Sequence, residues 1–223
     1  MIISIDGPAG SGKSTAARKL AAKLGIAYLD TGAMYRSIAM AALQQGVRMK
    51  DEGALIRVAR QVDIQLDCGP THTRVVLDGA DVSEAIRTMA VNQATSYVAR
   101  IQAIRDLLVE EQRSIGRKLG SLVSEGRDQG SVVFPDADLK FFLDAAIEKR
   151  AMRRYQELLA DGEEASYEMI IENLQQRDGN DQSQWAPLLE PETAIRIDTT
   201  DITIHEVVER LLEEVHRAGL DCA

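Results

Sequence analysis

The stretch Gly7-Pro8-Ala9-Gly10-Ser11-Gly12-Lys13-Ser14-Thr15 carries the pattern GxxxxGK[ST] in full. It follows an apolar run, Ile2, Ile3 and Ile5, suited to a buried strand, and precedes Ala17, Leu20, Ala21 and Leu24 at helical spacing. Strand, glycine loop and helix form the setting in which such a loop cradles phosphates. Glycines let backbone N–H groups turn inward around phosphate oxygens, and the helix N-terminus adds its partial positive charge. Lys13 can reach the β- and γ-phosphates of a nucleoside triphosphate, and Ser14 offers a hydroxyl to Mg²⁺. A plain strand-to-helix turn would need neither Lys13 nor Ser14. Gly7 to Thr15 are expected to form the nucleotide-binding loop.

A cradle alone does not name a reaction. No apolar strand ends in an aspartate clearly placed to help hold Mg²⁺, and no NKxD signature for guanine is present. Arginines instead accumulate in loops and late helices: Arg36, Arg105, Arg127, Arg150, Arg153, Arg154 and Arg177. Phosphoryl transfer is mostly positioning and charge neutralisation, so two phosphorylated molecules brought together need cations around the moving group. A solvated surface position is the alternative for any one of them. Arg36, Arg127 and Arg177 follow turn-like segments and are read as functional.

These residues must be positioned by an alternation of strands and helices. "IAYLD" reads as a second strand, and Tyr35, Ile38, Ala39 and Ala42 mark a helix closed by Gly46. Asp51 can cap a third helix with Leu55, Val58, Ala59 and Val62 on its buried face. The period then changes. "DIQLD" and "TRVVLDG", around "CGPTH", predict an antiparallel hairpin inserted at about residues 61–87. Helical sequence returns from Met89 to Lys118, "LVSEG" and "LKFFLDA" read as core strands, and a charged helical region from Glu148 to Gln176 is interrupted by "ADGEEAS". "AIRID" is the last strand, and Thr203 with Glu206 forms a capping box ahead of Val207, Val208, Leu211, Leu212 and Val215. The expected fold is α/β: a mostly parallel sheet in three α/β/α layers with a small antiparallel insertion.

With 223 residues, 45% of them hydrophobic, the chain can bury a sizeable core. A net charge of −9 opposes nucleic-acid backbones but leaves room for a local arginine cluster around a small phosphate ligand. Cys68 and Cys222 are isolated thiols, which fits a reducing compartment, and His72, His205 and His216 show no metal-ligand spacing. No signal-peptide pattern and no membrane-length apolar run are seen, so a cytoplasmic location is expected, with neither nucleic acid nor membrane as a partner.

The segments "IDGPAGSGKST", "LDTGAMYR", "IRT", "EGRDQGSVVFPDA", "KFFLDA" and "QRDGND" occur in the order found in the bacterial cytidylate kinase family, which the chain resembles over about residues 2–215. "DTGAMYR" together with "GRDQGSVVFPDA" is far more specific than the glycine loop. The resemblance implies a P-loop nucleoside monophosphate kinase that uses ATP and Mg²⁺ to phosphorylate CMP or dCMP. It implies a core (1–60, 88–148 and 186–223), a monophosphate-binding insertion (61–87) and a helical lid with the ribose segment (149–185). Lys13, Arg127 and Arg154 would be catalytic, with Ser14 toward the metal. Thr31 would lie near the monophosphate, Arg36 and Arg127 would hold its phosphate, Ser96, Arg105 and Asp128 would face the pyrimidine, and Arg177 and Asp181 the ribose. Arg150, Arg153 and Arg154 in "EKRAMRRYQEL" would belong to the lid. The bland alternatives are a helix cap at Asp30 and Thr31, a helix-surface role for Ser96, and a local Arg127–Asp128 pair; Tyr35 and Phe134 read as packing. One departure stands out: the family's further arginine after "RDGND" is Gln184 here, and Asn180 and Gln182 replace frequent basic residues. A monomer is expected. The nearest alternatives are a P-loop kinase for UMP, shikimate or gluconate, and a non-catalytic nucleotide switch.

Overall fold

Five strands, β1 (Ile2–Asp6), β2 (Ala27–Asp30), β6 (Leu122–Gly126), β7 (Leu139–Asp144) and β8 (Ile195–Asp198), pair in the order β2-β6-β1-β7-β8, every pair parallel. The structure is a computed structural model that describes residues 1–160, 162, 164, 166–189 and 194–220, residues 180–189 by backbone alone. The central strands are covered on both faces, which is why β1 and β6 read as apolar runs rather than as alternation. The glycine loop leaves the end of β1 and enters α1 (Lys13–Leu24), whose Ala16, Ala17, Leu20 and Ala21 pack on one face beside α8 (Ile204–Arg217). The Thr203–Glu206 capping box opens α8 as the sequence predicts.

The other face carries α2 (Thr31–Gln44), α3 (Glu52–Gln61), α4 (Met89–Ala99) and α5 (Gln102–Leu119). The stretch from Met89 to Lys118 reads as one helical run, but it is two helices. The chain extends at Ile101, whose side chain is buried in the cluster shared with α2 and α4. Neither proline nor glycine marks that break, so packing sets it.

The predicted hairpin is present as β3 (Ile64–Cys68) and β4 (Thr73–Leu77), and a short β5 (Ala80–Asp81) adds a third strand after the Asp78–Gly79 turn. Its loop is stitched to the edge of the main sheet. Tyr28 N–H donates to the Gly69 carbonyl (3.0 Å), and Thr73 Oγ1 donates to the Tyr28 carbonyl (2.6 Å). The late charged region forms α6 (Ile147–Ala160) and α7 (Tyr167–Leu189), which pack on each other through Ala151, Leu158, Ile170 and Leu174 and onto Ala9 of the glycine loop.

Candidate active site

The cradle is shaped by two glycines that no other residue can replace. Gly12 caps α1 in the left-handed region (φ 87°), and a Cβ on Gly7 would stand 2.1 Å from the Leu143 carbonyl oxygen. The loop is thus pressed against the end of β7. Two braces hold its carbonyls. Arg150, buried on α6, donates to the carbonyls of Ala9 (3.0 Å) and Ala145 (2.9 Å) and makes a two-pronged pair with Asp178 of α7 (3.2 and 2.6 Å). Thr199, buried after β8, places Oγ1 3.0 Å from the carbonyls of Ser11 and Asp144, and Arg153 donates to both its hydroxyl and its carbonyl. Lys13 is buried, with Nζ 3.3 Å from the Pro8 carbonyl.

Ser14 Oγ donates to Oε1 of Glu125 (2.8 Å), a buried carboxylate at the end of β6. Because β6 lies beside β1 with Ile5 opposite Glu125, the strand next to the loop supplies an acid to the loop's hydroxyl. A glutamate stands here where the sequence pattern calls for an aspartate, so the pattern does not single out Glu125. "LVSEG" was legible as a strand, but its adjacency to β1 is a matter of topology. Among the described residues no group of three His, Cys, Asp or Glu side chains converges. Ser14 beside Glu125 is an all-oxygen pair that suits a hard cation completing its shell with phosphate and water.

Around the neighbouring strand ends, carboxylates clasp arginines. Asp30, at the end of β2, caps α2 by accepting from Ala33 N–H (3.1 Å), and its Oδ2 also receives Arg36 (2.7 Å) and Arg87 (3.4 Å). The cap is therefore Asp30's, while Thr31 Oγ1 donates to the Glu125 carbonyl (2.7 Å). Asp128 takes Arg105 of α5 as a partner across the core (2.8 Å, both buried), and Gln129 Nε2 stands 3.4 Å from its second oxygen. Arg127, half-buried, donates to the Gly126 carbonyl (3.3 Å). Tyr35 borders this pair, and burial with the Asp128 charge pushes its hydroxyl well above the ordinary range.

The turn after β6, one π-helical turn over Gln129–Val133, is tied down by Asp6. This fully buried carboxylate accepts from Gln129 N–H (2.9 Å) and Gly130 N–H (2.8 Å). Burial pushes its carboxyl up to about 7, while those two donors and the Arg127 charge pull against the rise. Asp6 was read only as the end of an apolar strand, because its partners lie more than a hundred residues away in sequence.

Thr31, Arg36, Arg105, Arg127 and Asp128 thus share the strand ends beside the cradle. Other expected residues stand differently. Ser96 donates to the Gln93 carbonyl of its own helix (2.9 Å), the bland geometry of a helical serine. Arg154 pairs with Glu157 one turn along exposed α6 (3.0 Å), and Arg177 is exposed on α7. The side chains of Asp181 and Gln184 lie outside the described residues.

A family model described as cytidylate kinase matches residues 3–217. Relatives carrying that name include proteins of Caldanaerobacter subterraneus subsp. tengcongensis (49% identical, covering 96% of this chain and 94% of the relative) and Clostridioides difficile (44%, 97% and 98%). A third, from Bacillus subtilis, is 42% identical with 96% of each chain covered. A match over nearly the whole length, on a parallel sheet that sets a phosphate cradle beside buried Arg–carboxylate pairs, places this chain in the cytidylate kinase family.

Proposed function

We propose that this protein transfers the γ-phosphoryl group of ATP to CMP or dCMP, giving ADP and CDP or dCDP. The observation that carries the reading is the buried pair of Arg105, from α5, with Asp128, which stands two residues past the Glu125–Gly126 strand end that meets the cradle's Ser14. A carboxylate only accepts, so Asp128 suits the exocyclic amino group of cytosine and opposes the carbonyl of uracil. Arg105 donates to the ring carbonyl and N3, both acceptors in cytosine.

On the cradle side, the loop N–H groups and Lys13 hold the β- and γ-phosphates. On the acceptor side, Arg36 and Arg127 hold the monophosphate, with Thr31 near it. An oxygen of the acceptor phosphate attacks the γ-phosphorus in line, the bond to the β-phosphate oxygen breaks, and ADP leaves with that electron pair. Lys13 and Arg127 neutralise the charge that spreads during transfer, and Arg154 is assigned to join them once it leaves Glu157. Mg²⁺, when bound, neutralises phosphate charge; Ser14 and Glu125 are the residues that would hold it, directly or through water. Arg177 and Asp181 are assigned to the ribose and Ser96 to the base.

Residues 61–87 serve as the acceptor-side insertion and 149–185 as the lid and ribose segment, on a core of 1–60, 88–148 and 186–223. A cytoplasmic monomer is proposed, its net charge of −9 opposing nucleic acid. ADP release measured with CMP, dCMP, UMP, shikimate and gluconate tests the whole reading. CMP or dCMP is expected to give the highest rate, with UMP lower by about tenfold or more. ATP turnover unmoved by any acceptor would leave a nucleotide switch instead.

A further inference from the structure

Asp6 carries a carboxyl group with no exposed surface, and nothing in the transfer chemistry uses it. A buried carboxylate is costly unless its hydrogen bonds are met. Here both oxygens are met by consecutive main-chain donors, Gln129 N–H at 2.9 Å and Gly130 N–H at 2.8 Å. Only a carboxylate offers two acceptor oxygens in one short side chain; an asparagine would turn an amino group toward one of those donors. The next residue after Asp6 is Gly7, the start of the cradle, and the two residues before Gln129 are Arg127 and Asp128. One side chain therefore links the first residue of the ATP loop to the turn that carries the acceptor's candidate ligands.

The turn has little room to settle elsewhere. A Cβ on Gly130 would meet Ser4 Oγ at 2.7 Å, and one on Gly126 would meet Gln129 Nε2 at 2.8 Å and Thr31 Oγ1 at 2.9 Å. Gln129 is locked in turn: Ser124 Oγ donates to its Oε1 (2.7 Å), and its Nε2 donates to Gln112 Oε1 (3.1 Å). We infer that Asp6 is a positioning residue, setting the distance and angle at which Arg127 and Asp128 stand relative to the phosphate cradle. The inference rests on the acceptor-binding roles proposed for those two residues. The cradle itself has independent braces in Arg150 and Thr199, so losing Asp6 acts mainly on the acceptor.

The test is steady-state kinetics of wild type, Asp6→Asn and Asp6→Ser with CMP and ATP varied separately. The expected result is a KM for CMP raised about tenfold or more, or kcat lowered by a similar factor, with the KM for ATP within about twofold, because misplacement by about 1 Å is costly in transfer. Wild type failing to phosphorylate CMP would sink the proposed function rather than this inference. With an active wild type, a folded variant with unchanged constants overturns the inference, and so does an equal rise in both KM values, which marks a general strut. Hydrogen exchange on the wild-type protein needs no variant. Slow exchange at the Gln129 and Gly130 amides without nucleotide is expected, and rates typical of an open loop there overturn the inference.

Discussion

On the proposed acceptor side, Arg36 and Arg105 are clasped by Asp30 and Asp128, carboxylates that are almost wholly buried. On α6, Arg154 meets Glu157 in an exposed i,i+3 pair, and of that helix's three arginines only Arg150, three residues after its start, is buried. The same side chain is used to opposite ends. Buried pairs fix guanidinium groups in place before any ligand arrives, so the acceptor site is organised by the core. An exposed pair is worth little and exchanges readily, so Arg154 is available to a new anionic partner at small cost. The contrast suits a reaction in which the acceptor must be read closely and the donor side must open to release product.

Five substitutions or conditions break or sharpen that contrast. Lys13→Ala is expected to lower kcat by on the order of a thousandfold, since it removes the charge proposed to face the transferring group. Turnover near wild type would remove the cradle assignment. Arg150→Ala is next: breaking a buried pair that also satisfies two carbonyls should cost about 3 kcal/mol in denaturant unfolding. Arg154→Ala should change stability by no more than about 0.5 kcal/mol while lowering kcat. If Arg154 proves the more stabilising of the two, the division between a built side and an exchangeable side is wrong.

Asp128→Asn keeps the shape of its side chain but gives it a donor that uracil can use. The CMP-to-UMP ratio in kcat/KM should narrow by about ten- to a hundredfold. An unchanged ratio would reduce Asp128 to the ion-pair partner of Arg105. The last effect is a pH dependence and concerns Asp6. Its carboxyl is raised in the folded state from 3.8 to about 7, so the native protein binds that proton more tightly than the unfolded chain does. The contribution to stability is therefore greatest below the unfolded value and is lost as pH rises through about 7. Relative to Asp6→Asn, the wild type should lose at least about 1 kcal/mol between pH 4 and pH 8. A gain over that range would reverse the sign assigned to Asp6.

Local chemistry was legible in the residues, and pairings across the sheet were not. The glycine loop, the hairpin and the α8 cap are each written in one short continuous stretch, where spacing alone decides. Glu125 and Asp6 act through neighbours that only the strand order β6-β1 brings near. Sequence offers a local Arg127–Asp128 pairing, whereas the structure brings Arg105 of α5 to Asp128 through the core. In "EKRAMRRYQEL" the three arginines read as a set, yet helical rotation sends Arg150 to the loop, Arg153 to Thr199 and Arg154 to solvent.

The brace between Thr199 and the Ser11 carbonyl has a consequence for how the protein is made. In a growing chain the glycine loop precedes the hydroxyl that steadies it by 188 residues, because Thr199 follows β8. Contacts between such distant parts form slowly and late. Until then the loop lacks the brace on its Ser11 carbonyl. Affinity for ATP is thus expected to arrive as a late step in synthesis, and nascent chains halted short of Thr199 should bind nucleotide far more weakly than released ones.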